Sequence, residues 1–432
     1  MNYYSLNKQS PIVTFKAATI RGQAPDKGLY FPKILPPVDK DLIANIEKIP
    51  NAEIAFRIIK PYIGNEIPDH TLFDIVKETV NFPIPLKPVS ETISSLELFH
   101  GPTLAFKDVG ARFMSRCLGY FLKDEKRHVT VLVATSGDTG GAVANGFYDV
   151  KGVNVVILYP KGRVSPVQEK QLTTLGKNIT ALEVNGTFDD CQQMVKQAFN
   201  DADVNRKIFL TSANSINVAR WLPQQFYYFF AYKQWEEKKQ PPVVCVPSGN
   251  FGNICAGILT QITGLPLGHF IAACNVNDIV SDYLETQLLR PKNTVATLSN
   301  AMDVGNPSNF VRIIELFQNE FPALKTNLSS FTITDEQTVE TIRSVFHQHH
   351  YTLDPHGAVA YFALEKYLQQ HPGNEGFILE TAHPVKFPEA VEQATQTTIP
   401  LPSSLNRLMK QDKQSIEMSA AYNDFKNYLM QL

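Results

Sequence analysis

From Leu96 onward the chain alternates short β-branched runs with helix-patterned stretches, the order that builds β-α-β units and parallel sheets. The clearest unit sets Val129-Thr130-Val131-Leu132-Val133-Ala134 before a helical pattern over residues 139–148, with Gly152 as its stop and a second strand over 153–158. A run without apolar–polar alternation is buried on both faces, so helices have to cover both sides of its sheet. The same reading predicts strands over 179–184, 208–211, 243–246, 270–274 and 377–380, with helices between them. Up to Pro88 the pattern differs. There Gly22, Pro25, Gly28, Pro32, Pro36 and Pro37 punctuate a loop-rich segment, and helical patterns follow over 39–49 and 53–63. The expected fold class is α/β, with doubly wound parallel sheets and a separate loop- and helix-rich N-terminal region. A seam is expected near Leu222, where Pro223 precedes a long aromatic helix.

With 432 residues, 44% hydrophobic and 19% charged, the chain can bury a large core and divides into two or three domains. A formal net charge of -2, with no Lys/Arg block, leaves no basic excess to neutralise a phosphate backbone, so nucleic acid is not an expected partner. Met1 to Lys8 lack a basic stretch followed by an apolar one, and no apolar run is long enough to cross a bilayer. The expected location is cytoplasmic, away from membranes. Five scattered cysteines (Cys117, Cys191, Cys245, Cys255, Cys274) form no C-x-x-C pair and read as reduced thiols. Oligomeric state is not legible beyond monomer or homodimer.

One lysine and four polar segments carry what chemistry the sequence offers. Lys107 stands at a loop-to-helix junction between Phe106 and Asp108, where an amine partly shielded from water becomes nucleophilic; the plainer reading is a solvated surface charge. The loop Thr135-Ser136-Gly137-Asp138-Thr139-Gly140-Gly141 joins a buried strand to a helix N-terminus, a site for a carboxylate or phosphate or else an ordinary capped turn. A second such loop, Pro247-Ser248-Gly249-Asn250-Phe251-Gly252-Asn253, offers close backbone approach and small polar donors without charge. It lacks the Lys-Ser or Lys-Thr of a nucleotide-binding loop, and the chain has no G-x-G-x-x-G. In Asn214-Ser215-Ile216-Asn217-Val218-Ala219-Arg220 the spacing puts Asn217 and Arg220 on one helix face, with Arg220 a fork for phosphate or carboxylate or simply a surface arginine. Thr381 ends a late strand, at the sheet edge where open α/β folds place ligands. The histidines of Phe346-His347-Gln348-His349-His350 suit a helix C-terminus better than a metal, and no metal is expected.

In this order, Lys107, the Ser-Gly-Asp-Thr-Gly loop, the Ser-Gly-Asn-Phe-Gly-Asn loop and Thr381 resemble the tryptophan-synthase-like group of pyridoxal-phosphate enzymes. More narrowly, the chain is similar to the threonine synthase family. The resemblance runs over nearly the whole length. It includes residues 22–32, the block Leu98-Phe99-His100-Gly101-Pro102-Thr103-Leu104-Ala105-Phe106-Lys107-Asp108, residues 186–191, residues 303–309 and Thr381-Ala382-His383-Pro384-Val385-Lys386-Phe387. Asp26-Lys27-Gly28 departs from the family's Asp-Gly-Gly, in a loop remote from the expected chemistry. The resemblance implies two doubly wound parallel-sheet domains: a large cofactor domain from 93–107 and 223–432, and a smaller one over 108–222 carrying the substrate-carboxylate loop, after an N-terminal region over 1–92. It implies pyridoxal 5'-phosphate joined to Lys107 as a Schiff base, its phosphate held by Ser248, Gly249, Asn250, Phe251, Gly252 and Asn253, its pyridine nitrogen by Thr381, and its phenolic oxygen near Asp138. Ser136, Gly137 and Thr139 would grip the substrate carboxylate, and Ser215, Asn217 and Arg220 its phosphate; Asn306 and Ser308 would wall the pocket. The implied reaction turns O-phospho-L-homoserine and water into L-threonine and phosphate, by γ-elimination and β-hydration, the last step of threonine biosynthesis. A lyase that only releases phosphate from a phosphorylated hydroxyamino acid, and a catalytically silent cofactor-binding protein, are the alternatives.

Overall fold

A computed structural model of the chain describes residues 1–125, 128–236, 238 and 240–432. The chain folds as two compact units, one made of Met1–Phe31, Lys107–Arg220 and Leu401–Leu432, the other of Pro32–Phe106 and Trp221–Pro400.

The first unit is built on a five-stranded sheet in the order Ile416–Ser419, Ile179–Asn185, Val153–Pro160, Val129–Ala134, Phe209–Ser212, with every pairing parallel. All six residues of Val129–Ala134 are buried, as a strand without alternation requires. Leu132, Val156 and Leu182 on three neighbouring strands pack with Cys191 and Met194 of the helix Phe188–Asn200 and with Phe425 near the C-terminus. That helix starts at a reciprocal cap between Thr187 and Asp190, which satisfies two amides otherwise left without partners.

The second unit holds a six-stranded sheet in the order Leu328–Thr332, Phe270–Cys274, Val243–Pro247, Gly376–Glu380, Ile93–Glu97, Leu86–Pro88. It is parallel except at its edge, where Leu86–Pro88 runs against Ile93–Glu97. The aromatic segment after Pro223 is a helix, Gln225–Gln234, buried from Gln225 to Tyr232.

Three departures from the sequence reading have identifiable causes. Residues 401–432, expected with the large domain, belong to the first unit, because Ile416–Ser419 pairs with Ile179–Asn185 in the register Ile416↔Leu182. Only Met418 of that strand is buried, so no apolar run announces it. The N-terminal residues do not form a body of their own: residues 1–31 join the first unit and 32–106 the second. In the first unit they are anchored by Asn217 Nδ2, which donates to the Thr19 carbonyl at 2.8 Å. The strands Ile93–Glu97 and Leu328–Thr332 carry Ser-Ser pairs at their centres, which interrupt the apolar pattern that revealed the others.

Candidate active site

In the first unit, Val129–Ala134 and Phe209–Ser212 are adjacent parallel strands with Leu132 opposite Ser212, so the segments that follow them leave the same carboxyl edge side by side. After the first strand comes Thr135, whose hydroxyl accepts from the amides of Gly137 at 3.0 Å and Gly140 at 2.9 Å. The N-cap of the helix Asp138–Phe147 is Gly137, which has no side chain to cap with, and Thr135 bonds the first turn through the Gly140 amide instead. The hydroxyls of half-buried Ser136 and Thr139 are left without a bond to other described residues. The loop leads into the N-terminus of that helix, the end whose dipole suits an anion. Asp138 is buried and held through Oδ1 by Gln168 Nε2 at 2.9 Å. Gly137 has φ 138, and a Cβ there would stand 2.4 Å from Gln168 Cδ, so only glycine fits.

After the second strand the chain reaches half-buried Ser215 and then Asn217, which is wholly enclosed. Asn217 Nδ2 donates to the carbonyls of Thr19 at 2.8 Å and Ser212 at 3.3 Å, and its Oδ1 accepts from the amide of Ala219 at 3.0 Å. Through these bonds its side chain shapes the turn, in addition to the phosphate contact that the resemblance suggested for it. Arg220, in the short helix Val218–Trp221, is buried and donates to the Ala213 carbonyl. A Cβ on Gly110 would come within 2.8 Å of the Arg220 carbonyl oxygen and 3.0 Å of its Nε. Arg220 thus lies directly on the helix Lys107–Leu122, one turn beyond the half-buried Lys107 that opens it.

In the second unit, Val243–Pro247 and Gly376–Glu380 are adjacent and parallel, so the turn 248–253 and Thr381 also leave one sheet edge together. Thr381 accepts from the amide of Phe106 through its carbonyl at 2.9 Å, and its hydroxyl makes no bond to the described residues. Tyr227 donates its hydroxyl to the Phe106 carbonyl, so both polar groups of the backbone just before Lys107 are fixed. Wholly buried Lys386 donates to the Thr103 carbonyl at 2.9 Å and steadies the same loop.

The 248–253 turn divides its labour. Ser248 donates its amide to Ala273 and its hydroxyl to the Val246 carbonyl, both at 2.8 Å. Gly249 lies so close to Met302 that a Cβ would stand 2.5 Å from its Cα. Asn250 accepts from the Ser308 amide at 2.7 Å through Oδ1 and from Asn309 Nδ2 at 3.1 Å through its carbonyl, which ties down the 307–309 segment. Phe251 takes the left-handed conformation at φ 59 and turns the chain into the helix Gly252–Thr263. Buried Asn253 accepts from the Tyr228 hydroxyl at 2.9 Å, while its Nδ2 has no partner among the described residues. A buried amide donor left over at the first turn of a twelve-residue helix, with no cation beside it in the loop, fits a phosphate held by dipoles.

Gln168, Tyr227 and Lys386 were given no role by sequence, since each acts through a neighbour distant along the chain. His383 adds a pH dependence. Its Nδ1 accepts from the Val385 amide at 3.1 Å, and burial, then nearby His100, push its pKa down to about 4 from 6.5. Because the folded value lies below the unfolded one, the neutral ring's contribution is present above pH 6.5 and is lost as pH falls through 4. His383→Gln should therefore flatten the acid limb of a Tm-against-pH profile in that window, an effect of about 2 kcal/mol for a ring part-open to solvent. An unchanged slope would contradict the assignment.

A lysine opening a helix, and two glycine-containing turns that each join a parallel strand to a helix, are features found together in pyridoxal-phosphate-dependent enzymes. The family model described as "Pyridoxal-phosphate dependent enzyme" matches residues 93–379, and "Threonine synthase N terminus" and "Threonine synthase, C-terminal" match residues 2–80 and 357–429. Threonine synthase of Haemophilus influenzae is 44% identical over 431 residues, covering 100% of both chains. The crystal structure of threonine synthase from Escherichia coli superposes with a TM-score of 0.93 at 43% identity, covering 100% of both chains. The pyridoxal-phosphate-bound threonine synthase of Brucella melitensis does so with a TM-score of 0.92 at 34% identity, covering 100% of this chain and 99% of that one. The chain belongs to the threonine synthase family.

Proposed function

We propose that the chain converts O-phospho-L-homoserine and water into L-threonine and inorganic phosphate, with Lys107 carrying pyridoxal 5'-phosphate and acting as the base. The observation that carries this reading is buried Arg220, a fixed cation on the Lys107 helix one turn beyond the lysine. Enzymes that merely dehydrate an unphosphorylated hydroxyamino acid have no use for such a group.

When bound, the cofactor supplies the electron sink that makes the carbon next to the substrate amine acidic. The first-turn amides of the helix Gly252–Thr263, with Asn253 Nδ2, hold its phosphate, and Ser248 and Gly249 shape the approach. Thr381 offers the pyridine nitrogen a neutral hydroxyl, which favours an unprotonated ring. Asp138, fixed by Gln168, lies in the loop whose Ser136, Gly137 and Thr139 receive the substrate carboxylate. Asn217 positions the turn that presents Ser215 and Arg220 to the phosphate. As the C–O bond to phosphate breaks, the bonding pair leaves on oxygen, and the Arg220 fork stabilises that growing charge. Lys107 takes one proton each from the α- and β-carbons; one proton returns to the γ-carbon, which becomes the methyl group, and, as water adds its hydroxyl at the β-carbon and gives its remaining proton to the base, one returns to the α-carbon. The five free, buried cysteines support a cytoplasmic setting. Among the described residues, no helix is long and apolar enough to cross a membrane.

Turnover in heavy-oxygen water tests the route. Label is expected in the threonine hydroxyl and not in phosphate, because the C–O bond is the one broken. Label in phosphate would mean simple phosphate-ester hydrolysis and would refute the proposal.

A further inference from the structure

Two carboxyl groups that the proposed reaction does not use lie wholly buried in the second unit. Glu380 ends the strand Gly376–Glu380, and Asp354 precedes the helix Pro355–Gln370; both are 0% exposed. Asp354 caps that helix, accepting from the Gly357 amide at 2.7 Å through Oδ1 and from His356 Nδ1 through Oδ2. The Ala301 amide donates to His356 Nε2 at 3.2 Å, which leaves Nδ1 as the ring's donor to Asp354.

Glu380 Oε1 accepts from the Asp354 amide at 2.7 Å, and no donor among the described residues reaches buried Oε2. A Cβ on Gly357 would stand 1.6 Å from Oε2, so the missing side chain there is what admits the carboxyl. Among the described residues, the titratable groups shown against Glu380 are Asp354 at the helix end, Tyr351 before it, and Glu97 opposite it on the neighbouring strand. None of them is a cation. Ionised, Glu380 would be a desolvated carboxylate with one oxygen unsatisfied, beside two more carboxyl groups, an arrangement costly in a dry interior. Burial first, then Asp354, push it well above the usual carboxylate range.

We propose that Glu380 is a neutral carboxylic acid that shares its Oε2 proton with the Asp354 carboxylate, and that it is a positioning residue for Thr381. The shared proton ties the strand end to the helix N-terminus. The Glu380 carbonyl accepts from the Leu98 amide at 2.9 Å, and the next carbonyl, that of Thr381, accepts from the Phe106 amide at 2.9 Å. Fixing Glu380 thus fixes the backbone that aims the Thr381 hydroxyl. This second half rests on the proposed role of Thr381 toward the cofactor; the protonation state does not.

Infrared spectra of the holoenzyme and of Glu380→Gln test the first half. Wild type is expected to show a protonated-carboxyl carbonyl band at neutral pH that Glu380→Gln lacks; absence of such a band would overturn the proposal. Glutamine offers the same acceptor to the Asp354 amide and a donor to its carboxylate, so cofactor absorbance and kcat should stay within about twofold of wild type. Glu380→Ala should lower kcat by about tenfold with KM little changed, and shift the cofactor absorbance as Thr381→Ala does. Gln as damaging as Ala would contradict the shared proton. An unaltered cofactor spectrum in Thr381→Ala would remove the positioning role and leave the infrared result standing. Should Glu380→Ala fail to fold, the infrared band and the Gln variant decide.

Discussion

Lys107→Ala is expected to abolish the near-visible absorbance of the lysine-bound cofactor and to cut turnover by about ten-thousandfold or more, since it removes both the covalent attachment and the base. The structure gives a physical basis for so large an effect. Lys107 is the first residue of a sixteen-residue helix, and the residue before it has its amide bonded to Thr381 and its carbonyl to Tyr227. An amine delivered from backbone held on that side has little freedom to lose on reaching the reacting carbon. Alanine keeps the helix, so the variant should fold and stay near wild type in stability. A cofactor band that survives in Lys107→Ala would show that another amine carries the cofactor.

Arg220→Ala is expected to lower kcat/KM for O-phospho-L-homoserine by about a hundred- to thousandfold, the usual cost of losing a donor to charge that grows in the transition state. Cofactor affinity should change little by comparison, which titration of the apoenzyme with pyridoxal phosphate would measure. Equal losses in both would refute the assignment, because the residue would then be supporting the fold. Arg220→Lys should recover only part of the loss, since an ammonium lacks the planar fork.

Both residues were visible in the sequence, and the reason is chemical. A strand such as Val129–Ala134, buried along its length, writes itself as an unbroken apolar run, and the loop after it stands out by contrast. The positions of the 135–141 loop and the 248–253 turn after buried strands were legible in that way, whereas Lys107 and Thr381 drew their proposed roles from the ordered set of motifs that supplied the family. What stayed hidden depends on contacts between distant residues. Asn217 bonds to Thr19, which only folding brings to it, so its part in shaping the turn could not be read locally. Ile416–Ser419 gains its place from its partner Ile179–Asn185 rather than from its own apolarity. Glu380 and Asp354 stand 26 positions apart, and nothing in either local sequence tells that they meet.

The most direct test of the whole account is the stoichiometry of a single turnover assay. Purified protein loaded with pyridoxal phosphate is given O-phospho-L-homoserine, and phosphate, threonine and 2-oxobutyrate are quantified together. Equal amounts of phosphate and threonine are predicted. Phosphate accompanied by 2-oxobutyrate instead of threonine would contradict the hydration step and make the chain a phosphate-releasing lyase, and no product at all would contradict the substrate.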